Sequence, residues 1–458
     1  MSKEKEKTSA NFSRFGYIMV AAGAAIGLGN IWKFPYLAYG SGGGAFVVVY
    51  LIICLLLGHP VVEMESAIGR YARKNIIDAY GEVNKKWKFI GVINAVCVFM
   101  IGIYYIIVSG YVLKYAVAFL TGGNFGPDKE EYYMNFISDP VQPLIYAGIL
   151  MIVIAFLSSK GVTELVEKVT KVIVPLLFVL LVICGVWALA FFDGAVEGLK
   201  FYLVPDFSKF TWKSFADACM QVMFSVGIGW GIFATLGASM SDSTSIRKDS
   251  MMVTVCDTLV ALTAGFVIIP SVVGAGSKME AGPSLIFLAM TEIFEKLPAG
   301  RILGLFFFTA LIFATISTYF SIIEILSKCL EEKFHMGHGK ATWIFAIPLF
   351  IGGIFCSLSQ GAGLLSGVRL PWWTFNQGVV YYNIYDWVDC FSGYVLLPLG
   401  CLMTSFYCCK IWGYKEYEKE LTKDGRDGKL SKYDKFVMTV AVPILTIIVI
   451  LNCFGFIE

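Results

Sequence analysis

Residues 24–35 read AAIGLGNIWKFP, and their reading decides the fold. They lie in the first strongly apolar run of the chain, yet place Gly27, Gly29 and the bare amide of Asn30 in its middle. Glycine inside a helix costs about 1 kcal/mol relative to alanine. Backbone groups released in hydrocarbon cost several kcal/mol each unless something polar meets them. A break here therefore needs a polar partner, such as an ion or a zwitterionic solute. Residues 225–231, SVGIGWG, repeat the anomaly in a later apolar run.

Composition fixes the medium around these breaks. Of 458 residues, 57% are hydrophobic and only 15% charged, with a mean hydropathy of +0.72, far outside the range of a soluble domain. A hydrocarbon core of ~30 Å takes about twenty apolar residues in a helix, and such runs recur from end to end. The chain reads as an all-α polytopic membrane protein with eleven transmembrane helices, at 14–37, 43–70, 89–120, 142–159, 169–192, 215–240, 251–275, 300–330, 341–359, 385–412 and 433–456. The first run is long, rich in glycine and without a small-residue cleavage site, so it is not a signal peptide.

Lysine and arginine gather on alternate connections, at 3–14, 70–74, 85–88, 160–171, 247–248, 328–340 and 410–435. The opposite 121–141 loop is acidic through Asp128, Glu130, Glu131 and Asp139. The positive-inside rule then makes residues 1–13 a cytoplasmic segment and puts the C-terminus, after eleven spans, outside.

The two breaks fall in spans 1 and 6, the same place in two consecutive units of five. Five is odd, so the second unit, 215–412, enters the membrane inverted relative to the first, 14–192, and span 11, 433–456, is an addition. Paired glycine-interrupted spans in two inverted halves point to a transporter site at the bilayer midplane. Half-helix N-termini favour a carboxylate and freed carbonyls suit a cation; an amino acid and Na⁺ supply both.

Ionisable residues within spans are expensive and usually face a pathway. Asp257, in VTVCDTLVAL of span 7, has no cation nearby in sequence, so a bound cation is its expected partner. Glu63 and Glu65 of span 2 stand two residues apart and take hydrogen-bonding roles. Ser317, Thr318 and Ser321 of span 8 are hydroxyls of a kind that commonly bonds its own turn. Most of the twelve cysteines sit singly in apolar runs and read as buried small hydrophobes. The three histidines form no ligand set, no P-loop is present, and a net charge of +2 gives no reason to expect nucleic acid. Nothing marks the chain as an enzyme.

Four stretches then resemble the neurotransmitter:sodium symporter family: SRFGYIMVAAGAAIGLGNIWKFPYLAYGSGGGAF (13–46), EGLKFYLVPDF (197–207), AGPSLIFLAMTEIFEKLPAG (281–300) and ATISTYFSIIE (314–324). The likeness covers nearly the whole chain and looks prokaryotic, which implies the cytoplasmic membrane of a prokaryote. It implies the five-plus-five inverted repeat of the bacterial leucine transporter, with helices 1 and 6 unwound at the midplane.

The resemblance also implies two Na⁺ sites. The first would use the Ala25 carbonyl, Asn30, Ser225 and Asp257; the second, carbonyls of Gly23, Ile26 and Ala314 with the Ser317 and Thr318 hydroxyls. A substrate carboxylate would meet the amides of Leu28 and Gly29 and the Tyr105 hydroxyl, and its ammonium the carbonyls of Ala25, Phe224 and Ser225. Ala24, Ile101, Tyr105, Phe224, Gly227, Trp230, Thr318 and Ile322 would line its side-chain pocket. The outer gate would pair Lys33 with Asp389, a point charge where relatives have an arginine fork. At the inner gate Thr8 and Asn11 replace the family's arginine and tryptophan, which leaves Glu332 without its usual partner unless Lys5 or Lys7 serves.

Departures from the family pattern narrow the substrate. Many relatives hold asparagine at the place of Asp257 and take their missing negative charge from chloride or from a glutamate one turn later, where this chain has Ala261. The Asp257 carboxylate implies transport without chloride. Gly27 stands where amine transporters have aspartate, so the substrate brings its own carboxylate. Gly227 widens the pocket for tyrosine, tryptophan, phenylalanine or leucine. The expected function is sodium-coupled uptake of such amino acids by alternating access. An amino-acid sensor without net flux, a symporter of another small carboxylate-bearing solute and an ion-gated pore are the other readings; saturable, sodium-dependent uptake separates them.

Overall fold

A computed structural model describes residues 13–160, 162–276, 284–425 and 427–457. The Thr8, Asn11, Lys5 and Lys7 positions of the expected inner gate, and Ala281 to Pro283 of the third motif, lie outside them. Among the described residues nine helices are long and apolar enough to cross a membrane, and a tenth span is a pair, Arg14–Ala25 and Leu28–Gly40, bent by 65°. These ten match ten of the expected spans. The sixth, 215–240, is carried by two shorter helices, Trp212–Val226 and Ile232–Gly237. Neither is long enough to cross a membrane alone, because residues 227–231 interrupt them.

Helix starts follow from side chains that accept the otherwise orphaned first amides. Ser13 accepts from Gly16 N, Thr211 from Ser214 N, Ser245 from Lys248 N and Asn383 from Asp386 N. The hydrophobic sides of the helices bury a shared core, and many apolar side chains on the outer sides, such as Ile52, Leu55, Ile152 and Ile347, stay exposed. Apolar residues that face outward from long helices meet lipid at no cost, so this inside-out surface is what a bilayer requires. At the centre the Gly300–Phe334 helix packs along Lys88–Thr121, and the Ile246–Ala275 helix along Arg14–Ala25 and Val162–Phe191.

One element has no counterpart in the sequence reading. Leu370–Thr374 and Gly378–Tyr382 form an antiparallel hairpin with Trp372 opposite Val380. Its aromatic and β-branched residues suit a pleated surface. It lies against the end of the last helix, with Trp372 stacked on Phe454 at 5.6 Å.

At the end of the molecule that carries Arg14, polar groups tie distant helices. Arg70 is fully buried; its Nε donates to Glu420 Oε1 at 2.7 Å, its Nη1 to the Thr244 carbonyl at 2.6 Å, and its Nη2 to the Glu420 carbonyl. Glu332 accepts from Asn75 N at 2.8 Å and Asn75 Nδ2 at 2.7 Å, so its carboxylate is engaged by the 75–80 turn. In the connection after Gly237, partial burial works against the charged form of Asp242, but Lys423 and Arg73 beside it hold its carboxyl below the usual range.

Candidate functional site

The first break is built on side chains from other spans. The Arg14–Ala25 helix ends at Ile26, with ψ 100°, Gly27 is extended at φ −131°, and helix resumes at Leu28. Four of the groups at the break find partners. Gly27 N donates to Asn30 Oδ1 at 3.0 Å, Leu28 N to the Tyr105 hydroxyl at 3.1 Å, Thr318 Oγ1 donates to the Ile26 carbonyl at 3.3 Å, and Gln221 Nε2 to the Gly29 carbonyl at 3.2 Å. A Cβ on Gly27 would stand 2.8 Å from the Tyr105 hydroxyl and 3.1 Å from Thr318 Oγ1. The absent side chain is what lets those two hydroxyls reach the break.

The second break is built on glycine backbone. Gly227, Gly229 and Gly231 all take positive φ, at 77°, 87° and 79°, a region that other residues enter only under strain. The Gly229 amide donates to Glu65 Oε1 at 2.8 Å, and the Trp230 indole donates to the Gly227 carbonyl. Glu65 thus takes the hydrogen-bonding role expected of it. Glu63 accepts from Tyr417 at 2.8 Å and pairs with Arg247 at 3.0 Å. Gly227 has a conformational cause besides volume, and the Trp230 ring sits directly over it, 2.9 Å from where a Cβ would be.

Asp257 joins the two breaks. Asn30 Nδ2 donates to Asp257 Oδ1 at 2.7 Å, to Ser225 Oγ at 2.8 Å and to the Asp257 carbonyl at 3.3 Å. Ser225 Oγ donates to Asp257 Oδ2 at 2.9 Å, and Tyr50, which the sequence reading did not single out, donates to Ser225 Oγ at 3.3 Å. Asp257 is 0% exposed. Among the described residues no lysine, arginine or histidine lies within ion-pair distance of it. A carboxylate buried among neutral donors is costly. Three oxygens, two of Asp257 and one of Ser225, meet here at the Asn30 amide nitrogen.

Of the second set of expected ligands, three lie together. Thr318 Oγ1 lies 3.3 Å from the Ile26 carbonyl and 3.2 Å from that of Ala314. Beside it the buried Ser317 hydroxyl has no hydrogen-bond partner among the described residues. Gly23 is buried in the first helix.

Between the breaks lies a cavity with about 20 Å³ open to the centre of a water molecule, lined by Ala25, Gly27, Gly29, Asn30, Ile101, Tyr105, Phe224, Trp230, Thr318 and Leu397. That space holds one or two waters. Ala25, Gly29, Ile101, Tyr105, Phe224, Trp230 and Thr318 line it as expected; Ala24, Leu28, Ser225, Gly227 and Ile322 do not reach it. Leu397, from the tenth expected span, is an addition. Phe224 closes one side, with its ring 2.5 Å from where a Gly29 Cβ would stand.

The expected gate pair is not formed. Lys33 and Asp389 make no ion pair; the Lys33 ammonium lies instead over the Phe224 ring, 4.6 Å from its centroid, and 5.4 Å from that of Tyr394. The long lysine stem reaches the aromatic faces, and a quadrupole there attracts its charge.

Comparison with known proteins gives the family and the fold. The profile of the Sodium:neurotransmitter symporter family matches residues 9–124 and 137–455. An uncharacterized sodium-dependent transporter of Bacillus subtilis (strain 168) is 32% identical over 461 residues, covering 99% of each chain. One of Methanocaldococcus jannaschii is 28% identical, over 98% of this chain and 90% of the relative. The human sodium- and chloride-dependent GABA transporter 2 is 27% identical over 70% of this chain and 62% of its own. Among solved structures, MhsT in complex with L-phenylalanine superposes with a TM-score of 0.87 at 30% identity, covering 97% of this chain and 99% of that one. The inverted-repeat fold class expected from the sequence stands on this likeness.

Proposed function

We propose a transport cycle for a chain that belongs to the Sodium:neurotransmitter symporter family and is a multi-pass, sodium-dependent membrane transporter, not an enzyme. The cycle takes up a hydrophobic or aromatic amino acid with Na⁺ and without chloride. One observation carries the reading: the fully buried Asp257, held among the described residues by neutral donors, bridges the two helix breaks. A relative at high structural similarity binds L-phenylalanine, and Gly27 leaves no acidic side chain to pair with a substrate amine.

In this reading Na⁺ is a co-substrate. Asp257, Ser225 and the Asn30 amide, turned to present its oxygen, hold one ion with the Ala25 carbonyl, and the substrate carboxylate completes its shell between the Leu28 and Gly29 amides and Tyr105. Ion and substrate then raise each other's affinity. Gly23, Ile26, Ala314, Ser317 and Thr318 hold a second ion that ties the first break to the Gly300–Phe334 helix; the unpartnered Ser317 hydroxyl supports this. The carboxylate of Asp257 supplies the negative charge that chloride brings elsewhere, and Ala261 one turn later adds none.

The cavity as it stands is far below the several hundred Å³ of a small-molecule site. Substrate entry therefore requires Phe224 and Trp230 to withdraw, and the Lys33 contact with Phe224 is the latch that releases. Residues 14–192 and 215–412 form the two halves that rock against each other, with the N-terminus cytoplasmic and the C-terminus outside. Uptake of labelled phenylalanine, tyrosine and leucine by proteoliposomes tests the proposal. An inward sodium gradient should drive it and chloride replacement should leave it unchanged; sodium-independent flux, or loss of uptake without chloride, overturns it.

A further inference from the structure

The residue after the expected gate aspartate opens a second line. Cys390, in the Ile384–Phe391 helix, faces Cys453, 63 positions later at the end of the Val442–Cys453 helix, with their sulfurs 3.8 Å apart. Both are half-buried thiols. Most of the remaining cysteines are fully buried, so this pair stands apart.

The surroundings fix the approach. The Phe375 amide donates to the Phe454 carbonyl at 2.7 Å, and the Trp372 indole to the Cys453 carbonyl at 3.4 Å. Trp372 stacks on Phe454, and Phe375 on Phe456 at 4.8 Å. The hairpin therefore clamps the end of the last helix, and with it Cys453, against the helix that carries Cys390. A disulfide needs sulfurs at ~2.05 Å. From 3.8 Å the two sulfurs must approach by a further ~1.7 Å.

We propose that Cys390 and Cys453 are joined by a disulfide on the extracytoplasmic face, tying the outer end of the tenth expected span to the last helix. The placement rests on the topology proposed above, since only an oxidising compartment sustains such a bond. The two thiols lose two protons and two electrons as the S–S bond forms. An extracytoplasmic thiol–disulfide exchange protein accepts them: one thiolate attacks its disulfide, the second resolves the mixed disulfide, and the protein leaves as a dithiol. The bond would anchor the segment bearing Asp389 to a helix outside the two repeats, and leave Lys33 and Phe224 as the moving parts of the outer gate.

Membranes holding the full chain are quenched with N-ethylmaleimide, denatured in detergent with more of it, then reduced and treated with polyethylene glycol maleimide. Two adducts are expected for the native chain and none for Cys390→Ser or Cys453→Ser. Reduction should also lower the midpoint of thermal unfolding of the purified native protein by several degrees and leave that of either variant unchanged, because the bond closes a long loop. No adducts on the native chain overturns the proposal. A membrane-impermeant maleimide on intact cells bearing Cys390→Ser then separates the causes. Labelling of Cys453 from outside leaves the topology intact and rejects the pairing alone; labelling only after permeabilisation rejects the topology as well.

Discussion

The two helix breaks release backbone groups by opposite means. At the first, the backbone stays in regions open to any residue, and the shape is held by hydroxyls and amides borrowed from other spans: Tyr105, Thr318, Gln221 and Asn30. At the second, three glycines in the left-handed region set the path, and Glu65 meets the freed Gly229 amide. One break is a set of exchangeable contacts, suited to respond to a ligand. The other is a fixed frame against which the first can move.

Asp257 is where the two meet, so its loss gives the largest effect. Asp257→Ala removes the carboxylate to which Asn30 and Ser225 donate; hydrogen bonds to a charged group are worth ~1.5–3 kcal/mol each, so sodium-dependent uptake should fall at least about 100-fold. Uptake near the native rate would detach both breaks from ion coupling. Gly229→Ala comes next: at φ 87°, with its Cβ 2.3 Å from the Leu397 carbonyl, the change should destabilise the fold by roughly 3 kcal/mol or more. A sharp drop in monodisperse protein on size-exclusion chromatography is the readout, and a native yield would show that the second break is not a fixed frame.

The same substitution at the first break should spare the fold. Gly27→Ala meets no backbone strain but presses on Tyr105 and Thr318, so substrate affinity should weaken about tenfold, ~1–2 kcal/mol, with normal yield. Equal effects of Gly27→Ala and Gly229→Ala on yield would erase the contrast. Ser317→Ala should raise the sodium concentration for half-maximal uptake about fivefold, the worth of one ion contact near 1 kcal/mol, with the substrate dependence shifted only through sodium. Smallest of all, Lys33→Met keeps the stem and removes the charge above Phe224, so bound substrate should escape about two- to fivefold faster in a dissociation assay. Asp389→Asn should do less; the reverse order would restore the ion-pair gate.

Both breaks and Asp257 were legible in the sequence because each violates what lipid demands of a helix. A glycine pair or a carboxylate in an apolar run stands out without any knowledge of its partners. Leu397, Tyr50 and Gln221 carried no such mark. A leucine in a tenth span looks like any lipid-facing leucine until the chain has folded, and Tyr50 in VVVYLIICLLLG passes for packing. The Lys33–Asp389 pair was expected from family likeness, and the structure shows why likeness is insufficient there. Lysine lacks the fork that would commit it to a carboxylate, and two aromatic faces lie within its reach. The hairpin at 370–382 left no mark in the sequence because its five-residue strands lie between apolar runs of about twenty residues.

Arg70 and Glu420 set an order of events during synthesis. Their bond closes over 350 positions, and at about 5–20 residues per second the ribosome needs roughly 20–70 s to supply the acid after the base. For that interval the Arg70 guanidinium at the end of the second span waits for its partner, Glu420. The early helices must wait in the membrane with that charge at the water's edge, and they dock fully only when the chain is almost complete. Truncation before Glu420 should therefore yield chains that insert yet stay open to proteases, because Arg70 still lacks its carboxylate partner.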